Sequence, residues 1–417
     1  MASTIHEPAR DTPVVAEYDV VVCGGGPAGV AAAVAAARGG ARVLLLEQHG
    51  SLGGIWTTGL LSYFLDYANK PGLMAEIIRR LEARGARAAN LAGESTNAFD
   101  VEEVRVLLDE LCLEAGVSVQ LYSRVAAARV ADGVLTHVIV ESKSGREAVA
   151  GRQFIDGTGD GDVGALAGCG FDLGHPETGA TQPMSLIALL TGLRREEVKA
   201  FFHQPGDTWA APKDRLRDAM ERGGRSPSYA KPSLFAVRDD LFIMMANHEY
   251  GVKGVDVRDL TAATLRARRE LHDLVNGLRR LGSPWSQVRL VATGAQIGVR
   301  EGRRLHGRYT VTIEDMIAGR RHEDAVCRVA FGIDVHSTNP GAGKAIEASA
   351  VRTQPYDIPL RALQARDVAG LWLAGRCISG DFLAHSSYRV TGDAVAMGEA
   401  AGRAAAAAAQ AEIRRRP

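Results

Sequence analysis

The sequence predicts an α/β protein in which a parallel-sheet nucleotide-binding domain is interrupted by an inserted antiparallel-sheet substrate domain. Three observations predict it. Residues 18–47, YDVVVCGGGPAGVAAAVAAARGGARVLLLE, read as strand, glycine turn, helix, strand and terminal acid. Residues 176–290 change to strand-like runs and long helical stretches without that pattern. After residue 291 the glycine turns and short buried strands return, and the chain closes on an alanine-rich helix.

The first unit is the most specific. Residues 20–23 are a short apolar run with β-branched members, suited to a buried parallel strand. Gly24, Gly26 and Gly29 form a GxGxxG. The first glycine permits the turn, the second a close backbone approach to pyrophosphate, and the third tight helix–strand packing. The helix start then offers free N–H groups and the positive dipole end to phosphate. Residues 42–46 form the next strand. Glu47, 18 residues after Gly29, ends it where a carboxylate can accept from ribose hydroxyls. A bound adenine dinucleotide follows from this combination.

The remaining elements follow in order. The first sixteen or so residues lack periodicity and read as a mobile lead-in. Gly53 and Gly54 again permit backbone approach to a ligand. Residues 102–114 carry Val104, Leu107, Leu108 and Leu111 at helical spacing. Residues 117–142 alternate around Asp132-Gly133 and read as a β-meander. Residues 184–190 and 234–246 are strand-like, the second with a turn at Arg238-Asp239-Asp240, and 194–202 and 259–281 are helical. Residues 331–341 read as a strand entering a loop, and residues 370–377 as a buried strand with a Gly-Arg turn. Thr391 is a candidate N-cap of the last helix. The domain boundaries are thus 17–175, 176–290 and 291–417.

Composition excludes several classes. Hydrophobic residues make up 46% and charged residues 24%, ordinary for a globular chain. A formal net charge of zero argues against nucleic acid as a partner. The five cysteines show no CxxC spacing, which argues against a disulfide framework, an iron–sulfur cluster or a zinc site. No apolar run suits a signal peptide or a membrane span, so the expected location is cytoplasmic. The oligomeric state stays open, a homo-oligomer included.

With these segments in place, the chain resembles FAD-dependent oxidoreductases of the glutathione-reductase-like superfamily. More narrowly, it is similar to members with GTGDGD, IGVRE and AGRCIS motifs, which stand here at 157–162, 297–301 and 374–379. The resemblance implies FAD as cofactor on a Rossmann fold. It places Gly24, Gly26, Pro27, Ala28 and Gly29 around the pyrophosphate, and Glu47 and Gln48 at the adenosine ribose. Gly53, Gly54 and Ile55 would pass the ribityl chain, and Val125 would hold the adenine edge. Thr158, Gly159 and Asp160 would close the adenosine side, and Gly375 and Arg376 would return to the pyrophosphate. Arg376 stands where superfamily members often carry an acid, and can pair with phosphate directly. Thr391, Gly392 and Asp393 would open a helix aimed at the flavin, where its dipole stabilises charge on the reduced ring.

The catalytic candidates are His385, His336 and Arg389. His385 precedes the flavin-facing helix, in a segment expected to lie over the ring. His336 lies at the return to the nucleotide domain. Either would take a substrate proton while hydride passes to flavin N5, with Arg389 orienting a small-molecule substrate. The blander expectations are a loop-capping role for His336, a solvated His248, and an internal Arg300–Glu301 ion pair. His49 and Cys377 are the residue types that can bond flavin covalently. Gly157–Gly161 leads to no second complete strand–glycine–helix–acid unit, so electrons are expected to come from the organic substrate. They would leave to dioxygen, a quinone or a carrier. The expected activity is therefore an FAD-dependent dehydrogenase or oxidase acting on a small or mid-sized polar molecule at C–OH, C–N or CH–CH. An NAD(P)H-fed flavin hydroxylase and a flavin electron-relay subunit are the alternatives.

Overall fold

At the centre lies β1 (Val14–Cys23), whose residues Val20, Val21, Val22 and Cys23 have no exposed surface. The structure is a computed structural model and describes residues 4–87, 97–341, 343–347 and 351–415. The strand starts earlier than the expected lead-in allows: Val14 and Ala16 pair with Ala148 and Val149. Backbone pairing therefore ties down the end of that lead-in, while Met1, Ala2 and Ser3 lie outside the described residues.

The chain continues through α1 (Pro27–Arg38) and β2 (Val43–Leu46), which runs parallel to β1 with Val20 opposite Val43. Two helices follow, α2 (Leu73–Ala83) and α3 (Val101–Glu114). The Asp100 side chain caps α3 by accepting from the Glu102 N–H, and Val104, Leu107, Leu108 and Leu111 are all buried on its inner face. β3 (Ser118–Gln120) then pairs parallel to β2. The meander forms as β4 (Arg124–Ala131), β5 (Val134–Ser142) and β6 (Gly145–Asp156). Asp132 and Gly133 sit at φ 50° and 76° between its first two strands, the left-handed values that a two-residue hairpin turn requires.

β6 serves two partners along one edge. Its first half pairs antiparallel with β5, and residues 148–156 run parallel to β1 on the other side. The glycine turn after it opens only α4 (Asp162–Leu166), which leads to the two-residue β7 (Phe171–Asp172).

A second sheet is built from β8 (Ala188–Thr191), β9 (Ser233–Arg238), β10 (Leu241–Met245) and β11 (Arg289–Thr293). Its order is β11-β8-β10-β9 and every pairing is antiparallel. β11 runs across the expected boundary at residue 290 because Arg289 pairs with Thr191 and Thr293 with Ala188. The helices α5 (Arg195–Val198), α6 (Ala211–Arg222) and α7 (Val257–Arg280) accompany this sheet. Leu216, Ala219, Ala267, Leu271 and Leu274 share one apolar cluster with Leu190, Phe242 and Met244.

The return segment carries β12 (Arg304–Leu305), α8 (Ile313–Ala318), β13 (Ala325–Val329), β14 (Tyr356–Pro359) and β15 (Leu371–Leu373). β15 lies parallel to the second half of β6 and completes the mixed sheet. Residues 331–341 form no strand, contrary to the sequence reading. They make one isolated antiparallel bridge among the described residues, His336 with Ile346, and side chains take other backbone groups: Asp334 N–H donates to Ser386 Oγ, and His336 N–H donates to Gln182 Oε1. The chain ends in α9 (Phe382–Tyr388) and α10 (Thr391–Arg415). No described helix is long and apolar enough to cross a membrane.

α1 is buried almost all round, since α10 covers the face that the sheet leaves open. The two helices touch backbone to backbone. A Cβ built on Gly398 would lie 2.0 Å from the Ala28 carbonyl oxygen, and one on Gly402 would lie 2.2 Å from that of Ala32. Gly402→Val is therefore expected to cost ~1–3 kcal/mol through overpacking and to lower the thermal midpoint by a few degrees in calorimetry. An unchanged midpoint would show that the helices separate without cost.

Candidate active site

Two glycines set the cradle. A Cβ on Gly29 would lie 1.7 Å from the Gly24 oxygen, and one on Gly24 would lie 2.5 Å from the Gly157 oxygen. These contacts press α1 against the ends of β1 and β6. Gly26 is different: nothing lies within 4 Å of a Cβ added there. It is also the N-cap of α1, and no side chain caps that helix. The first N–H groups of α1 thus face open space, the arrangement that receives phosphate. Glu47 follows at the end of β2. Its Oε2 accepts from the Gly25 N–H and its Oε1 from the His49 N–H, both at 2.7 Å.

A single cavity of about 760 Å³ runs over this cradle and on to the second sheet. Of the expected dinucleotide residues, Gly24, Gly26, Pro27, Ala28, Glu47, Gln48, Gly54, Ile55 and Val125 line it. So do Thr158, Gly159, Gly375, Arg376 and Thr391. Residues from five separated stretches, 24–28, 47–55, 125, 158–159 and 375–391, therefore converge on one space, which the open start of α1 also lines. The donors and the shape fit a dinucleotide such as FAD.

Other expected residues support this wall from behind. Gly53 N–H donates to the Gly25 oxygen at 2.7 Å. Asp160 receives Arg376 Nη2 at 2.9 Å, so the Arg376 charge is met by this carboxylate. Gly392 packs under the Asp66 carbonyl. Asp393 is fully buried, with Lys70 Nζ 2.8 Å from its Oδ1. Thr391 is the first residue of α10 and not its cap. Its Oγ1 is buried with no protein partner among the described residues.

The histidines separate clearly. His385 lies within α9, is fully buried, and packs edge-on against Tyr388 with centroids 5.6 Å apart. It does not line the cavity, contrary to the expectation of direct contact. The reason is local. Asp381 caps α9 through the Ala384 N–H, and the resulting turn carries His385 inward. Cys377 is equally remote, its thiol donating to the Asp156 oxygen, while His49 lies beside Glu47 at the cradle end of the cavity.

His336 lines the cavity and is 7% exposed. Its Nε2 lies 3.5 Å from Asp334 Oδ2, and its Nδ1 has no protein partner among the described residues. Burial, reinforced by the Arg300 charge, pushes its pKa down to about 4 despite Asp334. Burial alone would raise the Asp334 carboxyl. The His336 hydrogen bond and the Arg389 and Arg300 charges reverse this and hold it at about 2. His336 is thus a neutral imidazole beside a charged carboxylate.

Arg389 lines the cavity. Its Nη2 donates to the Asp334 carbonyl at 2.8 Å and lies 3.1 Å from Asp334 Oδ2. Arg300, expected to pair with Glu301, does not. Glu301 is taken by Arg304 at 2.6 Å, and Arg300 donates to the Pro183 oxygen and Ser185 Oγ at the cavity edge. Adjacent residues in an irregular segment point apart, and that alternation was the available signal. His248 is also buried, not solvated. It stacks on Tyr229 at 4.1 Å and lies edge-on to His336 at 4.9 Å.

The chain matches the family model described as FAD dependent oxidoreductase over residues 19–416. It is similar to a geranylgeranyl bacteriochlorophyll reductase-like protein from Thermoplasma acidophilum, at 13% identity over 95% of this chain and 79% of that one, TM-score 0.47. It is similar to a flavin-dependent brominase at 12% identity, 95% and 79% coverage, TM-score 0.49. An anhydrotetracycline hydroxylase from Streptomyces rimosus matches at 17% identity, 70% and 54% coverage, TM-score 0.42. No curated protein matches the chain.

Glu47→Ala is expected to weaken FAD binding by roughly 10- to 100-fold, the loss of about 1.5–3 kcal/mol from hydrogen bonds to a charged acceptor. Fluorescence titration of apoprotein with FAD measures it, and unchanged affinity would remove Glu47 from the ribose site.

Proposed function

Because the chain belongs to the FAD dependent oxidoreductase family, we propose that it is a dehydrogenase or oxidase acting on a small or mid-sized polar organic substrate. His336 carries the reading. It is a neutral base with an unshared Nδ1, lining the same cavity as the dinucleotide cradle. FAD, when bound along that cradle, supplies two-electron redox chemistry.

The protein supplies the rest. His336 Nδ1 accepts the proton that leaves the substrate. Asp334, on the other ring nitrogen, orients the imidazole and stabilises its charged form. Arg389 is held by Asp334 and sits next to the base, so substrate positioning and proton transfer share one scaffold. Burial of this cluster strengthens each electrostatic contact by lowering the local dielectric.

A second reading is a flavin hydroxylase fed by transient NAD(P)H. The feature that favours it is the aromatic far wall of the cavity, with Phe201, Phe202, Trp209 and Phe235, which suits a planar aromatic substrate. The two readings part at the source of electrons. In anaerobic mixing, bleaching of the flavin by organic substrate alone supports the dehydrogenase or oxidase. Bleaching only by NAD(P)H, accelerated by substrate and followed by oxygen incorporation in air, overturns it in favour of the hydroxylase.

His336→Gln is expected to slow substrate-driven flavin reduction by ~10²–10⁴-fold. In the unaltered protein the base must be neutral. Its depressed pKa keeps it so above about 4, and the rate falls as pH drops through that value. A limb at the ordinary histidine value of about 6.5 would assign the base elsewhere.

A further inference from the structure

We propose that the substrate is a monocarboxylate with an apolar, preferably aromatic, body. This rests on the reading above only in taking the far part of the cavity as the substrate site.

The charges around that part of the cavity do not balance. Arg300 and Arg389 both line it, and both are part-buried. Asp334 is the carboxylate facing them, and it already holds Arg389. Glu301, the next nearest acid, is neutralised by Arg304. Among the described residues Arg300 has no ion pair, only the Pro183 carbonyl and the Ser185 hydroxyl. Both neighbouring histidines have depressed pKa values and add no charge at neutral pH. Immediately around Asp334, two guanidiniums against one carboxylate leave about one positive charge, held where burial makes it costly, while Lys213 adds a cation farther along the same lining and the buried Glu270 lies behind Ser228 and Asn247. A monoanion would settle the charge at Asp334.

Unshared polar atoms mark the same place. Arg389 Nε, Gln182 Nε2, His336 Nδ1 and His248 Nε2 are all buried without protein partners among the described residues. Buried donors and acceptors are nearly always satisfied in folded proteins, and of the residues that carry these atoms Arg389 and His336 line the cavity with Arg300. A planar guanidinium matches a carboxylate in geometry as well as charge. The wall beyond carries Phe202, Trp209, Leu234 and Phe235, with Lys213 lying over the Trp209 ring. An acid group on one side and aromatic rings on the other define an amphipathic ligand.

Calorimetric titration of the FAD-loaded protein with 3-phenylpropanoate, 3-phenylpropanamide and 3-phenylpropyl phosphate tests this. The expected result is carboxylate binding at least ten times tighter than the amide and tighter than the phosphate. Arg300→Gln should reduce the carboxylate-to-amide ratio to near one, while Arg300→Lys should keep part of it. Flavin absorbance and the melting midpoint report whether each variant is folded. If Arg300→Gln is not, the comparison of ligands on the unaltered protein decides alone. Equal binding of carboxylate and amide, binding of neither, preference for the phosphate, or an unchanged ratio in a folded Arg300→Gln overturns the proposal. The readout involves no turnover. A carboxylate preference in a protein whose flavin no such acid reduces would sink the dehydrogenase reading and leave this one standing. Flavin reduction by neutral molecules without carboxylate preference would do the reverse.

Discussion

Backbone contact at Gly24 and Gly29 is the constraint on which the rest of the molecule depends. A Cβ at Gly29 would lie 1.7 Å from the Gly24 oxygen, so α1 sits closer to β1 than any side chain there would allow. That closeness aims the uncapped start of α1 at the cavity. It also brings Gly25 within reach of Glu47, so that the acid is held by two backbone N–H groups before any ligand arrives. The same logic repeats on the far side of α1, where Gly398 and Gly402 let α10 approach. α10 then delivers Thr391 to the cavity from the other end of the sequence.

The cavity joins two kinds of surface. Over the cradle it is lined by backbone and small residues, which suits a ligand recognised by phosphate and ribose. Over the second sheet it is lined by aromatic side chains and by a buried charged cluster. Burying guanidinium groups costs several kcal/mol each unless partners repay it. Asp334 meets this demand for Arg389, from an irregular segment of the return region that sits where a strand was expected.

The cradle was legible because its chemistry is local. A glycine turn, a helix start and a strand-end acid lie within 30 residues, and each has a short-range physical signature. The meander turn at Asp132-Gly133 was legible for the same reason. His385 misled because nearness in sequence to the flavin-facing helix was taken for nearness in space. One capped helical turn sends the ring into the core instead. Arg300 was missed because a neighbouring acid offered an easy partner, whereas Glu301 turns to Arg304.

Sequence alone determined the FAD-dependent class and the strand, glycine turn, helix and strand that open the parallel sheet. Those depend on periodicity and on glycine stereochemistry, which act over a few residues. Only the tertiary structure decided which histidine meets the cavity, which arginine lacks an acid, and that residues from 182, 229, 248, 300, 334, 336 and 389 form one cluster. Their grouping depends on how two sheets and an irregular return segment pack together. Side-chain direction and charge pairing across such distances leave no periodic trace in the chain.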